Sequence, residues 1–241
     1  MRILIACEES DEVRSRFEKM GFDAWSCDLQ PNRNPDAKHY QCDVFQIIND
    51  GWDLMIAFPP CTHLAVSGAA WFEAKRKDGR QQSAINFFMK VVNSDIKYIG
   101  IENPVGIMSR LYRKPDQIIQ PYYFGDEAQK TTCLWLKNLP LLFHSSGPDL
   151  FNDKVTHVGK GNFRTAPSGR TYPEWCYKFG SGCSKERSKT YPGIAQAMAE
   201  QWGKFLIEKE GMEFRKLPLS KTAVSRTYFI CNMSAVGFKN Q

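Results

Sequence analysis

Apolar residues fall in short runs that stop abruptly. Ile3 to Cys7, Ala24 to Cys27, the run through Leu54-Met55-Ile56-Ala57-Phe58, and Tyr98-Ile99-Gly100-Ile101 each end in a polar residue or a proline. Runs of about four to eight apolar residues bounded in this way predict buried strands. Between them the spacing turns helical. Val13, Phe17 and Met20 recur among charges until Gly21, and Ile85, Phe88, Met89 and Val92 share one face of a segment from Ala84 to Val92. The resulting β-α-β start calls for a right-handed crossover and a parallel sheet, hence an α/β fold. A further strand, Gln129 to Leu136, is entered from a polar turn and points Cys133 into the core. From Leu142 to about Lys189 the periodicity fades. It returns with Pro192 at the start of an amphipathic helix that carries Ile194, Ala197, Met198, Trp202 and Phe205. These shifts divide the chain into 1–141, 142–189, 190–209 and a tail, 210–241, that shows no pattern.

Composition narrows the classes. With 241 residues, 42% hydrophobic and 24% charged, the chain can bury a full core, and its net charge of +6 permits a nucleic-acid partner without requiring one. Much of the positive charge sits between Lys154 and Lys189, where eight basic residues, Arg164 and Arg170 among them, face only Glu174 and Glu186. Phe163, Tyr172, Trp175, Tyr177 and Phe179 are interleaved with them, a mixture suited to stacking on bases, or else to a solvated, loop-rich subdomain. The 8 cysteines are scattered and read as reduced thiols of a cytoplasmic protein. The first apolar run is too short for a signal peptide or membrane span, and no later run approaches twenty residues. Cys176 and Cys183, with His157 upstream, form no Cys-x-x-Cys pair, so no metal site is expected.

Candidate chemistry lies at the strand ends, where open α/β sheets place their sites. Pro59 and Pro60 stiffen the turn that carries Cys61, and Glu102-Asn103-Pro104 closes the Tyr98 strand, with Pro104 holding Asn103 extended. Cys61 alone would equally be a structural cysteine. Paired with a carboxylate on a neighbouring strand it becomes a candidate nucleophile beside a group that polarises its electrophile. Asp28 ends the second strand, the position from which a Rossmann-like site holds ribose hydroxyls.

Together, Pro59-Pro60-Cys61 and Glu102-Asn103 resemble the catalytic motifs of DNA (cytosine-5) methyltransferases, most closely the short proteins of phages and prophages. The resemblance spans roughly residues 2–206. It implies a Rossmann-like, S-adenosylmethionine-dependent methyltransferase sheet with a small loop-rich target-recognition insertion at 142–189. Residues 190–209 would return to the catalytic domain, and the tail could meet a protein partner. Cys61 would attack C6 of a cytosine flipped out of duplex DNA, Glu102 would hold ring N3, and Asn103 would fix the turn. Ala6, Glu8, Glu9, Ser10, Asp28, Asp43 and Pro59 would surround the cofactor. Pro60, Thr62, His63, Gly68, Lys130, Thr132, Arg164 and Arg170 would meet the substrate, Gly68 as a loop hinge. On an extended chain, Thr62 and His63 would point to opposite sides.

Two departures keep other readings open. The family's glycine-rich first loop is replaced by Ala6-Cys7-Glu8-Glu9-Ser10, so either Glu8 or Glu9 contacts the methionine end of the cofactor or that site is impaired. Lys130 and Thr132 stand where the family has arginines. The alternatives are an enzyme acting on cytosine in single strands, RNA or nucleotides, and an inactive relative that binds nucleic acid or a protein.

Overall fold

The computed structural model describes residues 1–148, 155–167, 169, 171–174 and 189–211. One sheet holds β1 (Arg2–Ala6), β2 (Asp23–Asp28), β3 (His39–Gln41), β4 (Leu54–Ala57), β5 (Tyr98–Pro104), β6 (Gln117–Ile119) and β7 (Thr132–Lys137), in the order β3-β2-β1-β4-β5-β7-β6. The first five strands are parallel, and β7 lies antiparallel between β5 and β6. Strand order reverses between β1 and β4, which opens a crevice at their carboxyl ends. This is the Rossmann-like α/β fold expected from the sequence.

Both faces of the sheet are covered, which is why its strands read as unbroken apolar runs. Ile3, Ile5, Leu54 and Ile56 face one layer; Leu4, Ala6, Met55 and Ala57 face the other; all are fully buried. The first layer contains α1 (Arg14–Lys19) and the last helical stretch. That stretch begins with α5 (Pro192–Ala197), passes through a π turn at Met198–Trp202 and continues as α6 (Gly203–Lys209). The second layer contains α3 (Arg80–Val92), preceded by α2 (Phe72–Lys77) and followed after β5 by the short α4 (Met108–Leu111). Cys133 is buried in this second layer, as its alternation along the strand predicts.

Trp202 locks the last helix to the sheet. It is fully buried over Gly100 of β5, where an added Cβ would come within 3.1 Å of the indole, and its Nε1 donates to the Pro140 carbonyl at 2.9 Å. Trp202→Ala is expected to cost about 3–5 kcal/mol. A shift in the urea midpoint at constant slope checks this.

Several elements left no apolar signature. The strand β3 is only His39-Tyr40-Gln41, held by pairing with β2, and β8 (Phe163–Thr165) with β9 (Thr171–Pro173) forms an antiparallel ribbon where periodicity had faded. Lys75, the first residue of a basic run, is buried and donates its ammonium to the Thr62 carbonyl at 2.7 Å. Among the described residues no helix is long and apolar enough to cross a membrane.

Candidate active site

The two motifs meet at the carboxyl edge of the sheet. Phe58 N–H donates to the Ala6 carbonyl at 2.9 Å, prolonging the β1–β4 pairing by one residue before Pro59 and Pro60 turn the chain. Strand β5 continues past Ile101 through Glu102 and Asn103, because β7 pairs along it with Cys133 opposite Asn103 and Thr132 opposite Pro104. Asn103 is buried, and its Nδ2 donates to the Pro59 carbonyl at 2.7 Å. One buried amide therefore ties the turn bearing Cys61 to the strand bearing Glu102.

Beyond Cys61 the chain is not extended. Leu64 and Ala65 N–H both donate to the Cys61 carbonyl at 2.9 Å, closing a helical turn, so the expected alternation of Thr62 and His63 is replaced. Thr62 borders the cleft, whereas His63 does not. The His63 carbonyl accepts from Gln81 of α3 at 3.2 Å, and its Nδ1 is buried with no hydrogen-bond partner among the described residues.

A cleft of about 660 Å³ lies across the ends of β1, β2, β4 and β5 and the approach to β7. On one side stand Pro59, Pro60, Cys61, Thr62, Glu102, Asn103 and Lys130. On its other side stand Glu8, Glu9 and Ser10 of the loop after β1, and Asp28 at the end of β2. The remaining candidates lie outside the lining. Ala6 is buried in β1; Asp43 caps a 3-10 turn by accepting from Phe45 N–H at 3.0 Å; Gly68 sits beside the Lys75 ammonium; Thr132 is buried, its hydroxyl within 3.0 Å of the Lys130 carbonyl. Arg164, on β8, is ion-paired with Glu174 at 3.2 Å. Arg170, Cys176 and Cys183 are outside the described residues. The cleft also takes Cys7, Gln30, Phe58, Ser67, Pro104, Lys189 and Thr190, none of them singled out as site residues from the sequence. The last two are brought in by the packing of α5, which the linear pattern does not show.

The first loop makes its turns without glycine. Cys7 (φ 61°) and Asp11 (φ 65°) take left-handed conformations, and Cys7 and Glu8 N–H both donate to the Cys27 carbonyl. The Glu8 carboxylate accepts from Val13 N–H at 2.7 Å and Arg14 N–H at 3.1 Å, at the entry to α1. Those are the donors that a dinucleotide-binding loop would offer to phosphate. Here the protein's own carboxylate fills them. Burial pushes the Glu8 carboxyl up to about 7 despite these hydrogen bonds. Burial, then the charges of Asp28 and Asp43, push the Cys7 thiol up to about 12, which keeps it protonated at neutrality.

At the Cys61 end of the cleft burial dominates again. It raises the Glu102 carboxyl above its usual range, opposed by the Lys130 ammonium and by a hydrogen bond from Thr132. The Cys61 thiol is raised by burial and by the charge of Glu102, and the Lys130 ammonium works against both. In its protonated form Glu102 can donate a hydrogen bond and does not repel a thiolate. Among the described residues no group of three or more His, Cys, Asp or Glu side chains is arranged to hold a metal.

No protein-family model matches the chain, and no curated protein matches it. Among solved structures, the chain is similar to one described as a DNA modification methyltransferase encoded within a prophage (E. coli), with a TM-score of 0.44 and 20% identity. The similarity covers 66% of this chain and 53% of that one, so the chain spans about half the length of its neighbour.

Proposed function

We propose that this protein is an S-adenosylmethionine-dependent methyltransferase that modifies C5 of cytosine in DNA through a covalent Cys61–C6 intermediate. The observation that carries the reading is the convergence of Cys61 and Glu102 on one cleft, with Asn103 bonded to the Pro59 carbonyl between them. The donor set at the far end fits the cofactor. The Glu8 carboxylate already fills the phosphate-binding donors of the loop and Glu9 is ion-paired with Arg33 at 2.9 Å, so this end is acidic rather than phosphate-binding, which suits an ammonium and a sulfonium, and Asp28 can accept from ribose hydroxyls. When bound, the cofactor supplies an electrophilic methyl group.

The chain's residues do the rest. Cys61, as thiolate, adds to C6 while protonated Glu102 donates to N3, so the electron pair displaced from the C5–C6 bond makes C5 nucleophilic. After C5 is alkylated, a base removes its proton, the C–H electron pair restores the C5–C6 double bond, and the S–C6 bond breaks to release the Cys61 thiolate. Cys61 lies within the cleft, so a duplex cytosine must leave its stack to reach it. Arg164 of β8, which belongs to the basic stretch of sequence from 154 to 189, is the residue we assign to nucleic-acid contact.

Oligonucleotides carrying 5-fluorocytosine test the mechanism, because fluorine at C5 cannot depart as a proton does. With S-adenosylmethionine, the protein should form a denaturant-stable adduct whose linkage maps to Cys61. Duplex, single-stranded and RNA forms of the oligonucleotide identify the substrate, and absence of any adduct or methyl transfer would refute the enzyme reading. Asp28→Ala should weaken S-adenosylmethionine binding about tenfold, the scale of a lost hydrogen bond to a charged group. Calorimetric titration gives the number, and unchanged affinity would remove Asp28 from the site.

A further inference from the structure

We infer that Lys130 is a positioning residue that serves as the counter-charge of the Cys61 thiolate and so sets how much of Cys61 is ionised at neutral pH. The inference rests on the reading of Cys61 as a nucleophile.

The sheet brings Lys130 to the right place. Because β7 runs antiparallel to β5 with Thr132 opposite Pro104, the residues just before β7 arrive at the edge where β5 presents Glu102 and where the Cys61 turn lies. Lys130 lines the same cleft as both groups. Its Nζ donates to the Lys189 carbonyl at 3.2 Å, which anchors the ammonium to the segment leading into α5. An ammonium carries three donors, so one anchor leaves two for the cleft.

The surroundings make such a charge necessary. The charged groups lining the cleft with Cys61 are Glu8 and Glu9 after β1, Asp28 at the end of β2, Glu102 on β5, Lys130 before β7 and Lys189 before α5. Burial, and after it the charge of Glu102, oppose loss of the Cys61 proton. Lys130 acts in the opposite sense on both Cys61 and Glu102. When Cys61 gives its proton to solvent, the new negative charge on sulfur faces this ammonium, as thiolates do beside lysine elsewhere.

Alkylation of Cys61 by iodoacetamide reads the thiolate directly, since sulfur forms a bond to carbon and iodide leaves. Rates measured across pH from the Cys61 peptide by mass spectrometry give a midpoint that does not depend on methyl transfer. Lys130→Met should raise the midpoint by about one unit, slowing the reaction roughly tenfold at neutral pH, while Lys130→Arg should leave the midpoint near that of the wild type. Lys130→Gln keeps a donor for the Lys189 carbonyl but no charge; a raised midpoint there separates charge from anchoring. An unmoved midpoint in the Gln variant overturns the inference, also where the Met variant does not fold. Methyl transfer to cytosine DNA is assayed alongside. A shifted midpoint in a protein that methylates nothing sinks the proposed function and leaves Lys130 in its role; methyl transfer with an unmoved midpoint sinks only the role of Lys130.

Discussion

Cys61→Ala should abolish both the 5-fluorocytosine adduct and methyl transfer, with a loss on the order of 10⁶-fold, the scale seen when a covalent nucleophile is removed. The cofactor end of the cleft should survive. Cys61 contributes its carbonyl, not its sulfur, to the turn that Leu64 and Ala65 close, and the Asn103 bond to the Pro59 carbonyl does not involve its side chain. Calorimetry should therefore give wild-type affinity for S-adenosylmethionine. A variant that still methylates would show that another group forms the bond to C6. The competing thiols argue against a substitute: burial raises Cys7 to about 12 and Cys133 to about 11.

Glu102→Gln should slow methyl transfer by roughly 10²–10⁴-fold, because the amide can donate a hydrogen bond to N3 but cannot pass a proton. Stability should move the other way. The folded protein holds the Glu102 proton more tightly than the unfolded chain does, so the stabilising contribution of this group is complete below its ordinary value of 4.5 and is lost as pH rises through the raised value. Glutamine stays neutral throughout. Thermal melts should show the variant gaining on the wild type as pH climbs toward neutrality and converging with it in acid. A variant that is less stable at neutral pH would mean that the carboxylate is held as an anion, and would remove the protonated acid from the mechanism.

The strands that carry chemistry were legible because each is buried on both faces, so β1, β4 and β5 appear as apolar runs and the punctuation after them marks the cleft. Pairing was less visible. Nothing local in Lys189-Thr190 says that packing of α5 will deliver them to the cleft, and β3 exists through its neighbour rather than through its own residues. The first loop reads as a deviation because glycine is absent. The structure makes its turns with left-handed Cys7 and Asp11, and holds them with the Glu8 carboxylate, which reaches the N–H groups five and six residues on where α1 begins. Nothing local in Thr62-His63 marks a bend, yet the two hydrogen bonds to the Cys61 carbonyl curl that segment, and His63 lies outside the cleft lining.

Gly100 leaves room for the Trp202 indole against the strand that carries Glu102. During synthesis, that strand emerges from the ribosome about a hundred residues before the indole that covers it. Until then its face around Gly100 is bare, and the carboxylate at its end stands on an incompletely packed support. The edge that carries Cys61 and Glu102 is therefore completed only after the last helix has been made, and a nascent chain that already contains both motifs does not yet hold them together in the packed cleft.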